Sequence, residues 1–206
     1  MKKARVICGI DEAGRGALAG PLVAAAVILP CSMRRIQAAA GSGIADGKLL
    51  SPKRRRKIYS ALKQLGAPIA IEVISARQIN NRGIQRANRE AIRRLVKRME
   101  ADEYVIDGTI KIGKIRGKTD RVRTVVDADA TVAPTILAGI VAKVVRDTFM
   151  NILHRQFPRY GWNRNAGYGT KRHVAAIRLY STCRFHRGVF VTTALKKSEE
   201  AFLLDT

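Results

Sequence analysis

The sequence predicts an α/β protein built on a mixed five-stranded sheet flanked by helices. Three observations predict it. Short β-branched runs alternate with segments of helical periodicity. The first two strand runs are joined without a helix, which calls for an antiparallel start to the sheet. The later strand runs are separated by helices, which suits parallel crossovers.

The elements follow in chain order. Residues 5–10 form a short buried strand, and residues 22–29 a second one bounded by Pro21 and Pro30. A turn rich in glycine (Gly14, Gly16, Gly20) joins them. Residues 31–47 read as a loop, with Gly41, Gly43 and Gly47. Ser51-Pro52 opens a helix that runs to about Leu65 and stops at Gly66. Residues 69–74 give a third strand. Residues 77–99 read as one long helix, with Ile84, Ala87, Ala91, Leu95 and Met99 on one face. Residues 104–107 and 122–126 are the fourth and fifth strands. A helix begins near Pro134, and two more cover 170–180 and 192–202.

The chain has 206 residues, of which 47% are hydrophobic, enough to bury a core in one domain. Lys and Arg number 39 against 16 Asp and Glu, a formal charge of +23. An excess of that size points to a polyanionic partner, with nucleic acid first among candidates. Cys8, Cys31 and Cys183 form no CxxC pair, which argues against a zinc site or a disulfide framework and fits a reducing compartment. The N-terminus does not read as a signal peptide, and the apolar run 21–30 is about half the ~20 residues of a membrane span. A soluble, cytoplasmic protein is expected.

Four acids stand at strand ends. Asp11 and Glu12 follow the first strand, Asp107 closes the fourth, and Asp129 follows the fifth. Ligands in open α/β sheets gather beyond the carboxyl ends of strands. Oxygen ligands suit Mg²⁺ or Mn²⁺, and two such ions about 4 Å apart can clamp a phosphoryl displacement. Each acid alone also suits an ordinary turn. Spacing does not choose between Asp127 and Asp129 for the fourth place.

Other carriers of charge are less specific. Gly14-Arg15-Gly16 offers close backbone approach around a cation that can fork onto phosphate. Lys48 sits in a loop before a helix start. Lys53 to Lys57 is a basic run that a helix spreads around its circumference, so most of it is solvated. The basic stretch 111–123 could track a nucleic-acid backbone. Tyr168, between Gly167 and Gly169, could stack on a base or sugar, or pack on the core. His186-Arg187 reads as a phosphate contact or as a charge pair flanking a helix.

The segment Gly9-Ile-Asp-Glu-Ala-Gly-Arg-Gly-Ala-Leu-Ala-Gly-Pro-Leu-Val resembles the opening of ribonuclease HII. The resemblance continues through Asp46-Gly-Lys, Ile79-Asn-Asn-Arg-Gly-Ile-Gln-Arg-Ala, Val105-Ile-Asp-Gly, Ala138-Gly-Ile-Val-Ala-Lys-Val-Val-Arg-Asp, Gly167-Tyr-Gly-Thr and His186-Arg187. It implies an RNase H-like fold, with a catalytic domain over 1–157 and a C-terminal helical extension over 158–206. It implies a metal-dependent endonuclease, using Mn²⁺ or Mg²⁺, that hydrolyses RNA in RNA–DNA hybrids and at single ribonucleotides in duplex DNA. Such an enzyme leaves 3′-hydroxyl and 5′-phosphate ends and serves ribonucleotide excision repair.

Under the resemblance Asp11, Glu12, Asp107 and Asp129 are the catalytic, metal-binding carboxylates. Asp129 then takes precedence over Asp127. Gly14, Arg15, Gly16 and Tyr168 fall on positions that read the RNA-to-DNA junction, and Lys48 on a substrate-phosphate position. Lys143 and Arg146 fall on basic positions without an assigned role. A monomer is expected. The chain departs from the family's pattern at Gly47, Gly139, Asn165-Ala166 and Val189-Phe190, where hydroxyl or cationic groups are usual, and at Ala128, where glycine is usual. These departures keep a second reading open, a catalytically weakened hybrid- or duplex-binding protein on the same fold.

Overall fold

The computed structural model describes residues 5–41 and 50–204. Five strands, β1 (Ile7–Ala13), β2 (Leu22–Ile28), β3 (Ile69–Ile74), β4 (Glu103–Asp107) and β5 (Val122–Val125), form one sheet in the order β3-β2-β1-β4-β5. β1 is central. It pairs antiparallel with β2, with Asp11 opposite Ala25, and parallel with β4, with Ile10 opposite Ile106. β4 pairs parallel with β5. The mixed sheet expected from the sequence is therefore present.

The helices are α1 (Met33–Ala40), α2 (Pro52–Gln64), α3 (Ala76–Arg82), α4 (Ile84–Arg98), α5 (Ala128–Thr131), α6 (Ala133–Gln156), α7 (Trp162–Asn165), α8 (Lys171–Tyr180) and α9 (Gly188–Leu204). α2 begins as expected: the Ser51 side chain accepts from the Arg54 amide, and Pro52 takes the first turn. In the basic run that follows, Arg55 is buried and bonds the Leu50 carbonyl, while its four neighbours are exposed.

Three expectations need correction. β1 does not end at Ile10. Its pairing with the buried run of β2 continues to Ala13, so Asp11 and Glu12 lie within the strand. Part of the expected 31–47 loop is the helix α1, which buries Ile36 and Ala40 one turn apart and ends at Gly41 in the left-handed conformation. The expected helix 77–99 is two helices. Gly83, at φ 76°, breaks the chain between α3 and α4, although the apolar periodicity runs across it. The short helices α5 and α7 carry too few residues to show a period.

The chain divides into two compact units. The first comprises the described parts of Met1–Ala13, Val23–Val73 and Asn88–Val144, and so holds most of the sheet. Its core includes Ile10, Val23 to Val27, Ile58, Leu62, Ile92, Leu95, Val105, Ile106, Leu137 and Val141. The second comprises Gly14–Leu22, Ile74–Ala87 and the described part of Val145–Thr206. Leu18, Met150, Leu153, Tyr160, Trp162, Ile177 and Val191 form its core.

Candidate active site

In the first unit the strand register places the acids. Ile10 pairs with Ile106, so the next residues along these parallel strands are Asp11 and Asp107. Asp129 follows β5 in the single turn α5, and its amide donates to Oδ1 of Asp107 at 3.2 Å. Glu12 adjoins Asp11, whose Oδ1 accepts from the Glu12 amide at 2.6 Å. Asp11 is only 9% exposed. Its carboxyl is held well above the usual carboxylate range, first by burial and then by Glu12, with Asp107 and Asp129 adding to the rise. Asp127 is exposed, at φ 55°, and is not among the groups acting on Asp11.

A buried carboxyl facing three others is expensive to ionise, and a cation relieves that expense. The donors are oxygens only, which suits hard divalent ions. Gly139 of α6 leaves space beside Asp11: a Cβ there would overlap Oδ2 of Asp11. As the side chains stand, no three His, Cys, Asp or Glu among the described residues are gathered closely enough to hold a metal ion. In charge and ligand type Asp11, Glu12, Asp107 and Asp129 could hold such an ion. Lys48, expected on a substrate phosphate, lies outside the described residues, as does Gly47.

The second unit contains Gly14, Arg15, Gly16 and Tyr168, organised around two buried arginines. Arg146 donates from Nε to the Pro21 carbonyl at 3.0 Å and from Nη2 to that of Ala19 at 3.3 Å. Its guanidinium lies 5.1 Å from the centre of the Tyr168 ring. A Cβ at Gly14 would overlap the Arg146 side chain. Arg187 donates to the carbonyls of Gly14 (2.7 Å), Arg15 (3.0 Å) and Gly20 (2.9 and 3.1 Å). Burial, and then the charge of Arg146, pushes Arg187 down to about 9. With its carbonyls drawn inward, the turn leaves Arg15 and Gly16 exposed. The Gly167 carbonyl accepts from the Leu18 amide (2.8 Å) and the Ala19 amide (3.2 Å), so the glycine turn and the Tyr168 segment are tied together.

A buried polar network holds Tyr168 from behind. Nδ1 of His173 lies 2.9 Å from the Tyr168 carbonyl, which can only accept, so Nδ1 carries the proton. Nε2 of His173 then accepts from Trp162 Nε1 at 3.0 Å. Nδ1 of His186 accepts from the Cys183 amide at 3.0 Å, which places its proton on Nε2, facing His173 Nε2 at 3.3 Å. Burial, then the neighbouring His173, pushes His186 down to about 4, and burial lowers His173 as well. Both rings are neutral at physiological pH.

Arg187 is thus not a surface phosphate contact, because it is fully buried; it does stand directly before α9, but its guanidinium bonds the glycine turn and His186 beside it is uncharged. Arg146 and His173 were also without a role from sequence. A signal for Arg146 exists: Ala142, Arg146 and Met150 share a face of α6 at four-residue steps, a cation inside an apolar stripe. In the basic stretch 111–123, Lys118 is committed to the end of α4, bonding the carbonyls of Val96 (3.1 Å) and Met99 (2.7 Å).

The family model for ribonuclease HII matches residues 8–193. Ribonuclease HII of Syntrophus aciditrophicus (strain SB) is 38% identical over 194 residues, covering 93% of this chain and 87% of that one. Ribonuclease HII of Geobacillus kaustophilus (strain HTA426) is 37% identical over 199 residues, covering 95% and 73%. Among solved structures, the PCNA:RNase HII complex from Archaeoglobus fulgidus aligns with a TM-score of 0.73 at 23% identity, covering 88% of this chain and 93% of that one. Bst-RNase HIII in complex with Mn²⁺ aligns with a TM-score of 0.68 at 20% identity, covering 95% and 71%. At those identities the structural likenesses speak to the fold.

Proposed function

The chain belongs to the ribonuclease HII family, and we propose, from that premise, that its cleavage of RNA in RNA–DNA hybrids extends to a single ribonucleotide embedded in duplex DNA. Water attacks the phosphorus on the 5′ side of the ribonucleotide. The bond from phosphorus to the preceding 3′ oxygen breaks, leaving a 3′-hydroxyl and a 5′-phosphate. The observation that carries this reading is Asp11: a buried carboxyl inside the central strand, pressed by Glu12, Asp107 and Asp129.

Divalent ions, Mn²⁺ or Mg²⁺, two in number on this reading, would supply Lewis-acid stabilisation of phosphoryl charge and a more acidic water when bound. Asp11, Glu12, Asp107 and Asp129 would hold them. The Gly14-Arg15-Gly16 turn reads the ribose 2′-hydroxyl, the group that separates RNA from DNA. Its carbonyls are fixed by Arg187, so its exposed backbone is already set before substrate arrives. Tyr168, 38% exposed over the Arg146 guanidinium, stacks on the sugar or base beside that ribose. Lys48 takes a substrate phosphate. The protein acts as a cytoplasmic monomer in ribonucleotide excision repair. No helix among the described residues is long and apolar enough to cross a membrane. A PCNA complex is known for the Archaeoglobus structure, and a clamp contact is the corresponding candidate here.

Incubation of a duplex carrying one ribonucleotide with Mg²⁺ or Mn²⁺ tests the reading. Incision 5′ to the ribonucleotide, lost in Asp11→Asn, supports it. Tight binding with no metal-dependent incision would instead make this a binding protein on the same fold.

A further inference from the structure

We propose that the second unit carries a separate phosphodiester-binding subsite, in a cavity of about 610 Å³ walled by Arg159, Arg164, Lys171 and Arg172. The proposal rests on the reading of this chain as a nuclease acting on duplexes, and extends where the duplex is gripped.

The cavity has four cations and no carboxylate in its wall. His154, Asn163, Asn165 and Thr170 add polar groups, while Pro158 and Tyr160 give it an apolar side. None of the four cations forms an ion pair with a described residue. Some exposed arginines elsewhere do have such partners: Arg94 and Arg98 share Glu72, and Arg5 and Arg123 share Glu103. Arg159 is also set in place, its guanidinium 5.6 Å from the Tyr160 ring centre and 5.8 Å from that of Tyr180. Like charges around one concavity repel, and low-dielectric walls focus their field outward. A polyanion that supplies phosphates to that field relieves the repulsion.

Position selects the anion. Asn165 and Thr170 line the cavity three residues before and two residues after Tyr168. Asn165 is braced there, bonding the Tyr160 carbonyl (2.7 Å) and the Gly167 amide (2.8 Å). A duplex stacked on Tyr168 therefore presents its sugar–phosphate chain to the cavity's edge. The volume falls in the range of ligand sites, roughly 300–1,000 Å³, and exceeds what a lone phosphate would fill.

The test compares Arg164→Gln/Lys171→Gln with Arg34→Gln/Arg35→Gln. The second pair removes the same charge from exposed positions of α1 outside the cavity. Affinity for a 30-base-pair duplex holding one ribonucleotide is measured by anisotropy in EDTA over a range of salt. The cavity variant should bind about tenfold more weakly, with the slope of log K against log salt shallower by about two. The α1 variant should change less than about twofold, with its slope kept. Equal responses in the two variants overturn the proposal. Inorganic phosphate titrated into the unmodified protein separates the sources. Resonance shifts at the cavity that the duplex reverses support a duplex subsite; shifts that the duplex leaves untouched mean a small-anion site and overturn it. Incision of the same duplex is scored separately. Its failure sinks the hydrolase reading, while the salt slopes still decide this one.

Discussion

Gly9 of β1 lies so close to Thr135 of α6 that a Cβ on Gly9 would overlap the Thr135 amide nitrogen and come within 2.5 Å of the Pro134 carbonyl oxygen. The contact repeats one step along each element. Two residues on, the same face of β1 carries Asp11; four residues on, the same face of α6 carries Gly139, where a Cβ would overlap the Asp11 carboxylate. Two glycines therefore let a helix run against the central strand at the position where the acids collect.

Gly9→Ala should consequently destabilise the protein by about 3 kcal/mol, because backbone rather than a movable side chain stands in the way. Urea unfolding at constant m-value measures it. An unchanged midpoint would mean that α6 does not lie on β1.

Asp11→Asn should separate activity from stability. The folded-state carboxyl is raised, so its contribution favours folding at pH below the unfolded value and is lost as pH rises through the folded one. Once ionised, the group is a burden among three acids. The asparagine variant should lose incision by at least about 100-fold yet melt higher without metal. Adding Mn²⁺ should raise the melting temperature of the unmodified protein much more than that of the variant. A variant that melts lower than its parent without metal would contradict the repulsion.

The His173–His186 pair makes a different pH window. His186 falls from 6.5 to about 4 on folding, through burial and then His173. The unfolded chain binds the extra proton between those values, so stability is present above about 6.5 and is lost as pH falls toward 4. The full effect is at most about 3 kcal/mol. Melts at pH 7.5 and pH 5 should show a slope that His186→Gln reduces. The same slope in the variant would assign it to other groups.

Some of this was legible in the sequence for physical reasons. β2 is buried on both faces, so its apolar run announces itself. Asp107 could be placed because an apolar strand stops there against a glycine. The break at Gly83 was hidden because Ile84, Ala87 and Ala91 continue the apolar spacing of a single helix. α1 was hidden because it buries only Ile36 and Ala40. Arg146 and Arg187 were hidden for a deeper reason. Their partners are backbone carbonyls more than 120 positions away, and a carbonyl has no letter in a sequence.

That arrangement of arginines frames the last prediction, at Tyr168. The ring rests on Arg146, whose Nη1 is buried without a hydrogen-bond partner among the described residues, so the guanidinium relies on the ring for part of its compensation. The Tyr168 main chain is held independently, through His173. Removing the ring should therefore leave the loop in place and cost only what the ring touches. Stacking on a base is worth about 1–3 kcal/mol. Tyr168→Ala should lower the ratio of incision at a single ribonucleotide to incision of a uniform hybrid by about tenfold. Tyr168→Phe keeps the stacking face and the cation–π contact and should change that ratio less than about twofold. An equal loss on both substrates in the alanine variant would mean that the ring supports the fold of the loop rather than the reading of the junction.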